Sequence, residues 1–144
     1  MSRQPEAILE NKLIAQLEGL GYDRVEIPDE TALLTNLKEQ LEAFNKTAFT
    51  DKEFEMIVNH LSKGNVFEKA KTLRDRFALK REDGTTCFVQ FYDSQDWSKN
   101  RLQVTHQITA EGLYRNRYDV TMLFNGLPLV HIELKRRGLE LKEA

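Results

Sequence analysis

The stretch NRYDVTMLFNGLPLVHIELK, residues 116–135, decides the reading of this chain. It holds two apolar runs, Tyr118 to Phe124 and Leu127 to Lys135, joined by Asn125-Gly126. Asn-Gly between two such runs is the strongest short-range signal for a β-hairpin, because both residues tolerate the positive φ that a tight turn requires. The first run begins with an acid, Asp119, and the second ends in Glu133-Leu134-Lys135. Alternate residues of a strand share a face, so Glu133 and Lys135 project together while Ile132 and Leu134 point the other way. A carboxylate and an ammonium at the end of an apolar strand are costly without partners, and Asp119 is the natural neighbour.

Register sharpens this expectation. A plain two-residue turn at Asn125-Gly126 would set Phe124 opposite Leu127 and Asp119 opposite Ile132, with Glu133 on the other side of the sheet. A slip of one residue exchanges the faces. Bringing Asp119 and Glu133 together therefore requires an odd-length connection, a β-bulge or a sharp bend. Pro128 fits an irregular strand start, since it has no amide hydrogen for the ladder.

Outward from the hairpin, the remaining elements follow the apolar period. Helices are expected from Pro5 to Gly19, from a cap at Asp29 through Phe44, from the capping box Thr50-Asp51-Lys52-Glu53 to near Gly64, and from Asn65 to about Leu73. The period then changes. Strands are expected at Phe77-Ala78-Leu79, Thr86 to Asp93 and Leu102 to Ile108, with turns at Asp83-Gly84 and near Glu111-Gly112 and a loop from Ser94 to Asn100. Helices before an antiparallel-rich mixed sheet give an α/β or α+β class. Residues 139–144 read as the first turn of another helix, so the chain is expected to be one domain, 1–144, of a larger subunit.

Composition narrows the function. With 40% hydrophobic and 31% charged residues, the chain is ordinary globular material. No apolar run approaches the roughly 20 residues of a membrane span, and the N-terminus has no apolar export core. Cys87 is the one cysteine, which suits a reducing, cytoplasmic location. A net charge of −2 argues against a simple basic DNA-binding module, although Lys69, Lys71, Arg74, Arg76, Lys80 and Arg81 crowd one segment against Asp75 alone. His60 and His106 have no spaced partners for zinc. His131 could share the Glu133 face. Cys87, Phe88, Phe91 and Tyr92 read as core, and Trp97 as an interface residue.

Two carboxylates and a lysine suit phosphodiester hydrolysis. Hard oxygen ligands hold Mg²⁺ (or Mn²⁺) with open positions for phosphate and water, and the ammonium orients the water or steadies the phosphate. This set resembles the PD-(D/E)xK nuclease superfamily. The longer string, N-R-Y-D, then N-G-L-P, then I-E-L-K, together with Leu20-Gly21-Tyr22 after the first helix, resembles the N-terminal domain of the R (restriction, motor) subunit of type I restriction-modification enzymes. The resemblance implies a restriction-endonuclease-like mixed sheet flanked by helices. It implies Asp119 and Glu133 as metal ligands and Lys135 as the catalytic lysine. Holliday-junction resolvases, which are related, add a helix Glu that maps to Glu10. Arg117, on the Asp119 face, and Arg136 and Arg137 become candidate DNA contacts. The implied partners are double-stranded DNA and, through the whole subunit, the methyltransferase and specificity subunits; ATP would belong to motor domains beyond this chain. A noncatalytic docking module and a stand-alone repair or recombination nuclease are the competing readings.

Overall fold

The computed structural model describes residues 6–108 and 118–134. The elements run α1 (Glu6–Gly19), β1 (Asp23–Arg24), α2 (Glu30–Asn45), α3 (Asp51–Leu61), α4 (Val66–Arg74), β2 (Phe77–Lys80), β3 (Thr86–Val89), a 3-10 turn (Trp97–Lys99), β4 (Leu102–Ile108), β5 (Tyr118–Phe124) and β6 (Leu127–Ile132). The expected helical half followed by strands is observed, and the fold is α+β. The expected turn at residues 111–112 and the helix from 139 lie outside the described residues.

The caps are where the sequence placed them. The Asp29 carboxylate accepts from the Ala32 amide, and Thr50–Glu53 and Asn65–Glu68 are both complete capping boxes. Each satisfies amide groups that a helix start leaves without intrahelical partners.

The strands separate into two sheets where one was expected. β1, β4, β5 and β6 form a mixed sheet in that order, with β1 parallel to β4 and the other pairs antiparallel. The β2–β3 hairpin stands apart as a two-stranded sheet. Its inner residues, Leu79 and Val89, join Leu37, Leu41, Phe49, Ile57, Phe91 and Leu127 in one core cluster. On the main sheet, Ile14 and Leu17 of α1 pack against Val104 and Val120, with Met122, Ile132 and Leu134 at the margin. That apolar set defines the α1 face. On the other face Leu123 meets Ile27, Ala32 and Leu33 near the start of α2.

Polar groups tie α2 to this second face. Asn36 and Gln103 exchange amide hydrogen bonds of 2.8 and 3.0 Å, and Arg101 donates to Gln40 Oε1 at 2.6 Å. A second buried link holds α3 to the small sheet. The Glu53 carboxylate receives both Nε and Nη2 of Arg81, at 3.2 and 3.1 Å, and the amides of Thr50 and Glu82. Those donors, Thr50 first and then Arg81, hold Glu53 down to about 2.

Two expectations change. The Thr86–Asp93 strand ends at Val89, and Phe88 is 62% exposed where a core position was expected. Because only one face of the small hairpin is covered, alternation sends Leu79 and Val89 inward and Phe88 out. Phe91 is buried as expected, and Trp97 is half-exposed against Phe124 and Tyr92.

Candidate functional site

The site is built by the β5–β6 hairpin. Its turn has positive φ at both central residues, 55° at Asn125 and 86° at Gly126, the geometry that suits a two-residue hairpin. Asn125 is fully buried. Its side-chain amide donates to the Phe91 carbonyl and to Asn100 Oδ1, and its oxygen accepts from the Arg101 amide. The turn is thus clamped to the loop before β4.

From this fixed end Phe124 pairs with Leu127 and Leu123 with Pro128. The register then shifts: Met122 pairs with Val130, Thr121 with His131 and Val120 with Ile132. Leu129 is the extra residue, 43% exposed. This is the bulge that the placement of the acids requires. Continued by one step, the new register sets position 133 opposite 119, on the face shared by Thr121 and His131.

β6 ends at Ile132 and Glu133 is exposed just beyond it. Asp119 is half-buried, and its Oδ2 accepts from the Leu134 amide at 2.6 Å. The carboxylate thus takes an amide beyond the last ladder pair and anchors the chain that carries Glu133. An ionised acceptor shortens and strengthens such a bond. Beside it, Thr121 Oγ1 and His131 Nδ1 are 3.1 Å apart, and desolvation lowers the His131 pKa. Thr121 and Thr105 are buried on this face, which the apolar pattern alone did not reveal.

The other candidate residues fall differently. Glu10 is buried on α1, with its carboxylate 3.9 Å from Nδ1 of His106. Arg24 approaches Nε2 of the same imidazole at 3.3 Å. His106 pairs across the sheet with Val120, so this contact lies on the α1 face, whereas Asp119 and Glu133 alternate onto the other face. The described residues therefore join Asp119 to the Glu133 segment and do not gather three carboxylate or imidazole groups at one point. Lys135, Arg117, Arg136 and Arg137 lie outside the described residues. His60 serves the core: its ring stacks on Phe77 with centroids 4.1 Å apart, and desolvation lowers its pKa.

A mixed sheet backed by helices and edged by a bulged hairpin makes this an α+β domain. The chain belongs to the family described as the type I restriction enzyme R protein N terminus, whose model matches residues 3–144. It is 44% identical over its full length to the endonuclease subunit of a type I restriction enzyme from Staphylococcus aureus strain COL, and 41% identical to one from Staphylococcus saprophyticus. It is 37% identical over 99% of its length to the type I restriction enzyme EcoprrI endonuclease subunit of Escherichia coli. The chain spans 16% of each staphylococcal relative and 48% of the E. coli one. Among the described residues, no helix is long and apolar enough to cross a membrane.

Proposed function

We propose that this domain is the DNA-cleaving part of a type I restriction enzyme R subunit and hydrolyses phosphodiester bonds in double-stranded DNA with a divalent cation. The observation that carries the reading is the Leu129 bulge, whose register, with Val120 opposite Ile132, would set position 133 opposite 119 if continued by one step. Two carboxylates, one half-buried at Asp119 and one exposed at Glu133, fit a hard cation such as Mg²⁺ or Mn²⁺, which keeps several waters and is held by one or two protein carboxylates. When bound, that cation supplies Lewis-acid stabilisation of the phosphate and a more acidic water.

The chain's own residues do the positioning. The Leu134 amide fixes one oxygen of Asp119, while Oδ1 accepts no hydrogen bond among the described residues. Glu133 presents the second carboxylate from the segment that this bond anchors. Lys135, two residues on, supplies the ammonium that orients the attacking water or steadies the phosphate. In the whole enzyme, cleavage is coupled to ATP-driven movement on DNA and to the methyltransferase and specificity subunits, in the cytoplasm.

The test is to replace Lys135 with Ala, and separately Asp119 with Asn, in the intact protein, and to assay DNA cleavage and ATP hydrolysis side by side. Cleavage should fall by at least about 100-fold, with ATP hydrolysis retained. Calorimetric titration with Mn²⁺ should show weaker binding to Asp119→Asn than to the wild type. Cleavage at the wild-type rate in either variant, or equal Mn²⁺ affinity, rejects the assignment.

A further inference from the structure

The outer face of the β2–β3 hairpin carries chemistry that the cleavage site does not use. Ala78, Lys80, Thr86 and Phe88 all face solvent there. Phe88 pairs with Ala78, so no large side chain covers its ring from across the ladder. Lys80 pairs with Thr86, one step diagonally from Phe88, and Arg76 precedes the strand on the other diagonal. Such diagonals lie about 7–8 Å apart, within reach of long side chains. Lys69, Lys71 and Arg74 on α4 continue the charge.

All five cations are exposed, and none of their side chains makes an ion pair or hydrogen bond among the described residues. The neighbouring acids are Glu68, Asp75, Glu82 and Asp83. Glu68 is engaged as a helix cap, and Asp83 accepts from the amide and hydroxyl of Thr85 within its own turn. In a chain of net charge −2 this lobe is locally cationic, and it presents an uncovered aromatic ring.

We propose that this face is a docking surface for single-stranded DNA, with Arg76 and Lys80 on the phosphates and Phe88 stacked on a base. The charge complements a phosphate backbone, and the aromatic selects a strand with unstacked bases, because a duplex offers no open base face. A cationic patch without the ring would serve a duplex equally well. The surface is separate from the cleavage site. The lobe packs at the turn end of the β5–β6 hairpin, where Leu127 joins Leu79 and Val89, and position 119 is about 20 Å along the strand from that turn. The proposal rests on the DNA-processing reading above.

The experiment is fluorescence-anisotropy titration of the intact protein with a labelled oligothymidylate and, separately, a duplex of equal length. Both are measured in EDTA over a range of salt concentrations. Phe88→Ser should weaken oligothymidylate binding about fivefold or more and leave duplex binding unchanged. The pair Arg76→Gln with Lys80→Gln should lower the slope of log affinity against log salt by about 1.4 for the single strand. All these positions are exposed, and circular dichroism of each variant verifies the fold. Wild-type affinity in the variants, or equal loss of duplex binding in Phe88→Ser, overturns the proposal. Asp119→Asn is run alongside. Unchanged oligothymidylate binding is expected there, so a failed cleavage assignment and a failed docking surface give different results.

Discussion

Inserting one alanine between Leu129 and Val130 should break the domain's site without removing a core residue. The bulge holds one extra residue, Leu129, which is 43% exposed. With a second extra residue, the alanine takes the place of Val130 opposite Met122 and the rest of β6 slips by one. Every later residue then changes face. Ile132 and Leu134, which pack at the edge of the α1 cluster, would turn away from it, and His131 and Glu133 would turn in. Half-burial of two aliphatic side chains is worth about 2 kcal/mol together. Facing a carboxylate toward Val104 and Val120 without a partner adds at least about 1–3 kcal/mol, so the end of β6 should detach before it tolerates that arrangement. The expected loss is about 3–5 kcal/mol. At a urea dependence of about 2 kcal/mol per molar, the midpoint falls by about 1.5–2.5 M. Mn²⁺ binding should disappear at the same time. Leu129→Thr, which keeps the residue count, should shift the midpoint by less than about 0.5 M and bind the cation as the wild type does. An insertion variant within about 0.3 M of the wild type that still binds Mn²⁺ would refute the register argument.

Two further substitutions test the frame around the site. A Cβ added at Gly126 would lie 2.7 Å from Leu37 Cα and 3.2 Å from Gln40 Cβ, at a φ of 86°. Left-handed strain of about 1–2 kcal/mol and overpacking of about 1–3 kcal/mol should lower the melting temperature of Gly126→Ala by roughly 5–15 °C; a drop smaller than about 2 °C in differential scanning calorimetry would contradict the close approach of the turn to α2. Hydrogen bonds from Thr50 and Arg81 hold the Glu53 carboxyl down to about 2 in the folded state, below its ordinary value of 4.5. A depressed carboxylate stabilises the fold above its unfolded pKa, and that contribution is lost as pH falls from about 4.5 toward 2. Glu53→Gln should therefore flatten the acid limb of stability in that window, as followed by urea titration at several pH values. An unchanged limb would mean that the Arg81 and Thr50 contacts do not hold the carboxylate as described.

The sequence made local chemistry legible and left partly legible what depends on assembly. Caps at Asp29, Thr50 and Asn65 were readable because a side chain three residues from its amide partner is a local event. The turn at Asn125-Gly126 was readable for the same reason. The division into two sheets was not, because strand pairing depends on which faces helices cover, and the short β2–β3 hairpin has only one face covered. Phe88 was misread on that account, since an apolar run such as residues 86–92 does not show where its strand ends. The role of Asn125 was read as turn geometry alone. Its hydrogen bonds to Phe91 and Asn100 join residues 34 and 25 positions away, and no local pattern encodes them. Asp119 and Glu133 were read from their places at the strand ends and from the family resemblance, and that reading carried an inconsistency: the best turn for the hairpin puts them on opposite faces.

That inconsistency explains why the bulge falls where it does. The turn end cannot shift, because Asn125 is clamped by buried hydrogen bonds and Gly126 sits against the α2 backbone. The far end is constrained as well, because Val120 and Ile132 must face α1 to bury their side chains. A two-residue turn at one end and an apolar pair facing α1 at the other differ by one residue in register. The difference has to be absorbed between them, on a strand where one extra residue can face solvent. Among the described residues β6 is the edge of the sheet, and Pro128 near its start has no amide hydrogen to lose from the ladder. An extra residue in β5, paired on both sides, would break two ladders; in β6 it breaks one. The same displacement that reconciles turn and core carries Glu133 onto the face of Asp119. The register on which the proposed pairing of the two acids depends is therefore set by the turn clamp at Asn125 and Gly126 and by the apolar pair Val120 and Ile132, not by the acids themselves.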